Sequence, residues 1–103
     1  MVRMIESLYD TLERVAYQFS CGTPDSELGS QCGLLKVQAS KTMEYCAREA
    51  AQILGGSSLV KEGQGKVVER LYRNVRQTAI PGGSEEILLD LAMRHTIAKA
   101  SRL

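Results

Sequence analysis

The chain has 103 residues, of which 44% are hydrophobic and 24% charged, and its formal net charge is +1. This length predicts one small domain with a modest core, and the balanced charge excludes the strongly basic surface that nucleic-acid binding requires. No apolar run approaches the roughly 18 to 20 residues of a membrane helix, and the N-terminus lacks a signal-peptide core, so membrane insertion is not expected.

The first predicted element is a helix from Val2 to Phe19. Apolar residues recur in it at steps of three and four, which gives the helix one apolar face. They are Met4, Ile5, Leu8, Leu12, Val15, Ala16 and Phe19. Glycine, proline, aspartate and serine then interrupt the pattern, so the segment from Cys21 to Ser30 is predicted to be a loop.

Three further helices are predicted after this loop. The second runs from Gln31 to Leu54 and ends at the pair Gly55–Gly56, which is typical of a left-handed helix stop. The third is short, from Lys66 to Gln77, because Pro81 cannot continue it. The fourth runs from Ser84 to Ala100. No alternating strand pattern competes, so the sequence predicts an all-α fold, an antiparallel up-and-down four-helix bundle.

The connection before the fourth helix, IPGGSEEI from Ile80 to Ile87, holds more glycine and more acid than a simple helix stop needs. Gly82 and Gly83 allow backbone angles closed to other residues and leave room for a ligand. Ser84 or Gly83 is predicted to cap the helix, with Glu85 and Glu86 in its first turn, where the helix dipole favours negative charge. A capped helix start and a ligand-contacting turn both fit these residues, although the two acids argue against a free anion.

Thiols and histidine suggest no metal site. Cys21, Cys32 and Cys46 are odd in number and lack a Cys-x-x-Cys pair or flanking histidine, so reduced thiols inside a cell are expected, with Cys46 in the core. His95 is the one histidine and has no nearby nucleophile or carboxylate partner in sequence, so a structural role is favoured over acid–base chemistry.

Three ordered motifs in the second half, carried by AAQILGGSS, VVERLYRNVR and IPGGSEEILLDLAMR, resemble the C-terminal helical domain of acyl-CoA dehydrogenases. That family typically has Q-x-x-G-G, a V-E-x-x-x-R-D-x-R-like helix and a G-T/S-x-E/Q-I turn. The matching residues are Gln52, Gly55 and Gly56; Val68, Glu69, Arg73 and Arg76, with Asn74 where aspartate is usual; and Gly83, Ser84, Glu86 and Ile87. The detailed match runs from about Ala50 to Arg94, and the first two helices agree only in length and pattern.

The resemblance implies that residues 1–103 are the last domain of a flavoenzyme, which in the family also has an N-terminal helical domain and a middle β-domain. Family subunits assemble as tetramers or dimers of dimers. The Q-x-x-G-G turn contacts the FAD of a neighbouring subunit, and the later turn contacts FAD near its ribose and pyrophosphate. Carried over, the FAD contacts are Gln52, Ile53, Leu54, Gly55 and Gly56, and then Ser84 and Glu86.

The family reaction is α,β-dehydrogenation of an acyl-CoA thioester, in which a glutamate removes the α-proton and FAD accepts the β-hydride. In many members that glutamate occupies the position of Gly82. In others glycine or alanine stands there, and an earlier helix supplies the base, which in this protein would lie upstream of Met1. The chain alone is therefore expected to be inactive, and the acyl chain length and electron acceptor stay open.

Other assignments of the charged residues are weaker. Glu85 and Glu86 are the nearest alternative bases, but both belong to a helix start, and Glu62 matches a family loop residue without a catalytic role. The basic face of the third helix is expected to form salt bridges; its members are Arg70, Arg73 and Arg76. A second function class, a non-enzymatic helical oligomerisation module derived from the family, also fits.

The chain ends in Ser101-Arg102-Leu103, which resembles the C-terminal Ser-Lys-Leu address read by the peroxisomal import receptor. Arginine for lysine keeps the charge and approximate length of the signal. We therefore expect import into the peroxisome or a related organelle, with a mitochondrial or cytoplasmic location as the alternative.

Overall fold

A computed structural model describes residues 1–101, which form four α-helices and one short 3-10 helix. The α-helices are α1 (Val2–Ser20), α2 (Asp25–Leu54), α3 (Lys66–Ala79) and α4 (Glu85–Ala100), and the 3-10 helix (Gly55–Leu59) follows α2 directly. No strand occurs in this region, so the all-α prediction with four helices is confirmed.

Helix α2 is the axis of the fold. It has 30 residues, about 45 Å at 1.5 Å per residue, in a molecule whose longest dimension is 55 Å. Within the described region the other three helices pack mainly on α2. Helix α1 runs antiparallel to it: Arg14 near the end of α1 donates a hydrogen bond to Gln31, while Met1 near its start lies beside Cys46.

Helices α3 and α4 lie one after the other along α2. Along α3, Arg76 pairs with Glu44 and Ala79 accepts a hydrogen bond from Lys36. Along α4, Glu85 pairs with Lys41 and Leu88 packs on Gly33. The contacted α2 positions fall as the chain advances along each helix, so both helices run antiparallel to α2. A regular up-and-down bundle would reverse direction between them. The lengths fit the tandem arrangement, because helices of 14 and 16 residues placed end to end match the 30 residues of α2.

The core is small and contains only modest side chains. Its buried apolar residues are Val15, Leu28, Val37, Ala47, Val75, Ala79 and Ala92. Many large apolar side chains stay exposed instead, among them Tyr17, Ile53, Leu59, Ile87 and Ile97. Such extensive apolar exposure is unusual for an isolated monomer and is typical of an interface.

The largest error in the predicted boundaries is the start of α2. We expected a loop from Cys21 to Ser30, but the helix begins at Asp25, directly after Pro24. Pro24 adopts an extended conformation (φ −59°, ψ 142°), which leads into the helix, and acidic residues in the first turn suit the positive end of the helix dipole. Leu28, only 2% exposed, packs that turn into the core.

The other predicted ends are closer. Helix α1 ends one residue later than expected, α3 extends to Ala79 rather than Gln77, and α4 begins at Glu85 with Ser84 as its N-cap. None of the helices in residues 1–101 combines the length and apolar character that crossing a membrane requires. Arg102 and Leu103 lie outside the described residues, so the C-terminal address stays a prediction.

Candidate functional site

The Q-x-x-G-G segment forms the exposed end of α2. Gln52 and Ile53 are exposed, and Gly55 is the C-cap, with φ 55° and ψ −138°. A positive φ of this kind is readily adopted only by glycine, and the α-helix ends at this residue as predicted. The predicted left-handed stop is wrong in its conformation, because the ψ of Gly55 is far from the value of about +47° of a left-handed helical residue. At Gly56 an added Cβ would meet no atom within 4 Å, so main-chain atoms face open space. A ligand can approach the backbone here without a side chain in the way.

A buried serine holds this segment in place. The Ser58 hydroxyl lies 2.7 Å from the carbonyl oxygen of Gly55 and 3.1 Å from that of Ala51, so its one proton is donated at this end of α2. The backbone at Gly65 then passes so close to Ser57 that an added Cβ would lie 1.8 Å from its carbonyl oxygen. The glycine end of α2 is therefore fixed from behind while its outer face stays open.

The second predicted segment is the turn between α3 and α4. Gly82 and Gly83 have φ values of 75° and 105°, as expected for glycines used for their backbone freedom. At Gly82 a Cβ would meet nothing within 4 Å, whereas at Gly83 it would lie 2.9 Å from Cδ2 of Leu88. The turn therefore has an open tip at Gly82, whereas Gly83 is tightly packed against Leu88.

The side chain of Lys36 in α2 binds the backbone of this turn at two points. Its Nζ donates hydrogen bonds to the carbonyl oxygen of Ala79, at the end of α3, and to that of Gly83, at 2.8 Å, just before α4. One ammonium group thus binds the backbone on both sides of the exposed Ile80–Gly82 tip. Nothing in the sequence pattern singled Lys36 out.

Glu85 belongs to a charge network, and its Oε1 is buried without a hydrogen-bond partner among the described residues. Its side chain is 13% exposed; one carboxylate oxygen lies 2.9 Å from Nζ of Lys41, and the other lies 3.9 Å from Arg76. Arg76 also pairs with Glu44 at 2.8 Å. The hydrogen bond and the charge of Glu85 raise the pKa of Lys41 above its ordinary value. The assignment of the base to a residue other than Glu85 stays a prediction.

Glu86 is exposed at the start of α4. The pKa of its carboxyl group is lowered first by its own backbone N–H and then by the Ser84 hydroxyl. Ser84 itself makes no side-chain capping bond to the backbone of the first turn. An ionised Glu86 accepts hydrogen bonds and repels anions, so this position suits a hydroxyl partner better than a phosphate.

The two predicted contact sets lie apart. Lys36, beside the turn, and Gln52 belong to the same helix and are separated by about 24 Å at 1.5 Å per residue. They cannot surround one small group on a single copy of this chain. They can contact distant parts of a long ligand, or two ligand molecules.

The remaining predicted residues take ordinary positions. Arg73 forms the expected salt bridge with Glu69 at 2.8 Å, which lowers the pKa of that carboxyl group. His95 is exposed and borders a cleft with Ser26 and Lys99. Cys46 is half-buried. The described residues contain no cluster of histidine, cysteine and acid side chains able to hold a metal ion.

Comparison with known proteins agrees with the motifs. Residues 1–97 match the family model described as acyl-CoA dehydrogenase, C-terminal domain. Acyl-CoA dehydrogenase apdG of Emericella nidulans is 33% identical over 97 residues, covering 90% of this chain. Acyl-CoA dehydrogenase AFT10-1 of Alternaria alternata is 37% identical over 90 residues, covering 87% of it.

A probable acyl-CoA dehydrogenase of Bacillus subtilis is 39% identical over 62 residues, covering 60% of this chain. The matched regions make up only 22%, 20% and 10% of these three relatives, so the chain spans about a fifth or less of their length. No solved structure matches the chain significantly.

Proposed function

Since the chain belongs to the acyl-CoA dehydrogenase family, whose C-terminal domain it matches, we propose that it contacts FAD and joins subunits in an enzyme of this kind. The parent enzyme would oxidise acyl-CoA to trans-2-enoyl-CoA in the breakdown of fatty acids or branched acyl groups. The activity belongs to that whole protein, and this chain supplies cofactor contacts and assembly surface.

The observation that carries the proposal is the open backbone at both glycine motifs. Positions at which the resemblance implies FAD contacts, Gly55–Gly56 and the turn beginning at Gly82, have open space on the side where a Cβ would lie. Each is braced from behind, by Ser58 in one case and Lys36 in the other. A braced backbone with an open outer face suits a rigid cofactor, because little ordering is left to be done on binding.

The residues at these segments fit parts of FAD. Gln52 is exposed and offers both an amide donor and a carbonyl acceptor. Glu86, kept ionised, would accept hydrogen bonds from ribose hydroxyls, and we place the pyrophosphate away from it. FAD, when bound, supplies the hydride acceptor of the reaction. The distance between the two segments supports contacts with FAD molecules of different subunits.

In catalysis, the proposed role of the turn at Gly82 is to leave space for the reacting groups, and the turn itself transfers no proton. Gly82 has no side chain, and the Glu85 carboxylate is held by Lys41. We therefore assign the base to a glutamate of the parent enzyme outside this chain. The open tip at Gly82 would accommodate the thioester and the flavin.

Retention of FAD tests the cofactor role. In an assembled enzyme containing this domain, Gln52→Ala and Ser84→Ala should each weaken FAD binding roughly 3- to 10-fold, the equivalent of one lost hydrogen bond of about 0.5–1.5 kcal/mol. Flavin fluorescence during dilution measures the loss. Gln64→Ala, which removes an exposed amide from the intervening loop, is the matched control. Equal retention by all three variants would refute the contact.

Self-association of the isolated chain tests the assembly role. Leu89, Met93 and Ile97 recur at steps of four along one face of α4, and each is exposed by 44% or more. The chain should therefore associate as concentration rises, and Met93→Lys with Ile97→Lys should weaken this at least 10-fold. Light scattering measures the effect, with the exposed pair Arg94→Ala and Lys99→Ala as control. A chain that stays monomeric at high concentration contradicts the prediction.

The runner-up is an oligomerisation module without enzymatic function. The exposed apolar face of α4 favours it as much as it favours the first proposal. FAD binding distinguishes the two proposals. A module of the second kind would assemble normally, and Gln52→Ala and Ser84→Ala would not change FAD retention in the assembled protein.

A further inference from the structure

The turn between α3 and α4 combines one rigid residue, Pro81, with two glycines of free backbone. Ile80, Pro81 and Gly82 are exposed, and Gly82 and Gly83 both occupy the positive-φ region, where glycine moves easily. The last turn of α3, where the connection begins, also leaves carbonyl oxygens without a partner inside the helix. A contact from outside the turn can satisfy such an oxygen and restrict the glycines.

Lys36 meets both needs with one group. Its half-buried side chain crosses from the middle of α2, and its ammonium group donates to Ala79 on one side of the tip and to Gly83 on the other. Hydrogen bonds from a charged donor are stronger than neutral ones, and a cation at the end of α3 also complements the negative end of its dipole. No salt bridge in residues 1–101 involves Lys36, so its ammonium group serves the backbone.

Lys41 provides an instructive contrast from the same helix. It is largely exposed and contacts a side chain of α4, the Glu85 carboxylate, rather than the turn backbone. Water screens this pair only in part, since the side chain of Lys41 is 58% exposed but that of Glu85 is 13% exposed. Both lysines are single positive charges on α2 facing the same junction, but only Lys36 connects the two ends of the turn.

We propose that Lys36 is a positioning residue: it clamps the Ala79–Gly83 backbone and so fixes where Gly82 and Ser84 stand relative to α2. The clamp is a property of this chain alone. Its consequence for FAD and the thioester rests on the proposed function, since it requires that the turn contact them.

Amide hydrogen exchange of the isolated chain tests the clamp. The N–H of Ile80, bonded to Arg76, and that of Leu88, bonded to Ser84, report on the two sides of the turn. The N–H of Glu69, bonded to Gly65, reports on the far end of α3. In Lys36→Met, protection at Ile80 and Leu88 should fall about 10-fold or more, with less than about 3-fold change at Glu69.

Three results would overturn the clamp. Protection could fall equally at all three amides, which would make Lys36 a general stabiliser; it could stay unchanged; or Lys41→Met could loosen the turn as much as Lys36→Met does. Lys36→Arg keeps a charged donor and should preserve most of the amide protection. This variant also tests the clamp if Lys36→Met does not fold.

FAD retention in an assembled enzyme then separates the clamp from the proposed function. If the clamp acts on the cofactor, Lys36→Met should weaken FAD binding at least as much as Ser84→Ala. If the turn loosens in the chain but neither variant affects FAD, the cofactor role of the turn is wrong and the clamp stands. If Ser84→Ala weakens FAD binding and Lys36→Met does not, the positioning role is overturned.

Discussion

Gly65→Ala should destabilise the chain by about 3 kcal/mol or more, because its new Cβ would lie 1.8 Å from the Ser57 carbonyl oxygen and 2.3 Å from its carbonyl carbon. Both atoms belong to backbone, which cannot rotate away like a side chain. Relief requires the start of α3 to separate from the 3-10 helix, which would also disturb the glycine end of α2. Thermal unfolding followed by circular dichroism measures the effect, and the midpoint should fall by roughly 10–20 °C.

Gly29→Ala is the matched control for Gly65→Ala. Gly29 lies inside α2, and an added Cβ there would meet nothing within 4 Å. The same substitution should therefore stabilise the chain by about 0.5–1 kcal/mol, since alanine is the better helix former. If Gly65→Ala lowers stability no more than Gly29→Ala does, the close approach at Gly65 does not control the fold.

Loss of the catalytic base should produce the largest effect on turnover. In an assembled enzyme containing this domain, replacing the true base glutamate by glutamine should lower kcat roughly 10²- to 10⁴-fold, the usual contribution of general acid–base catalysis. The base should lie in a part of that enzyme outside this chain. Glu85→Gln and Glu86→Gln should each lower kcat by less than about 10-fold, and FAD content must be measured in every variant.

The opposite result would assign the base to this domain. If Glu85→Gln abolishes turnover while FAD stays bound, the ion pair with Lys41 must open during the reaction, and the proposed passive role of the turn is wrong. Gly82→Glu adds a second check, because the position has open space but a φ of 75°. A side chain there costs about 1–2 kcal/mol of backbone strain, so any gain of activity should come with lower stability.

Helix positions were predictable from the sequence where apolar periodicity was continuous, as in α1. The start of α2 was not, because Pro24, Asp25 and Gly29 are ordinary loop residues and the burial of Leu28 in that turn depends on tertiary packing. The same limit applies to direction: each helix was identified, but no local pattern indicated that α3 and α4 would lie in tandem along α2.

The glycine motifs were also recognisable, since Gly55, Gly82 and Gly83 adopt the positive φ expected of them. The residues that brace them were not. Lys36 acts on backbone 43 and 47 residues away, and Gly65 is required only because another segment passes it. Contacts so distant along the chain leave no mark on local sequence pattern.

Helix α2 carries the Q-x-x-G-G motif at its end, and its Lys36 binds the turn before α4. The length of α2 between these two points therefore constrains how the length of this protein can vary. One residue inserted between Lys36 and Gln52 would rotate one motif about the helix axis by about 100° relative to the other and move it about 1.5 Å along it. Homologous chains should therefore avoid insertions and deletions in that stretch. Length variation should collect instead in the loop from Val60 to Gly65, where added residues would leave the phase of α2 unchanged.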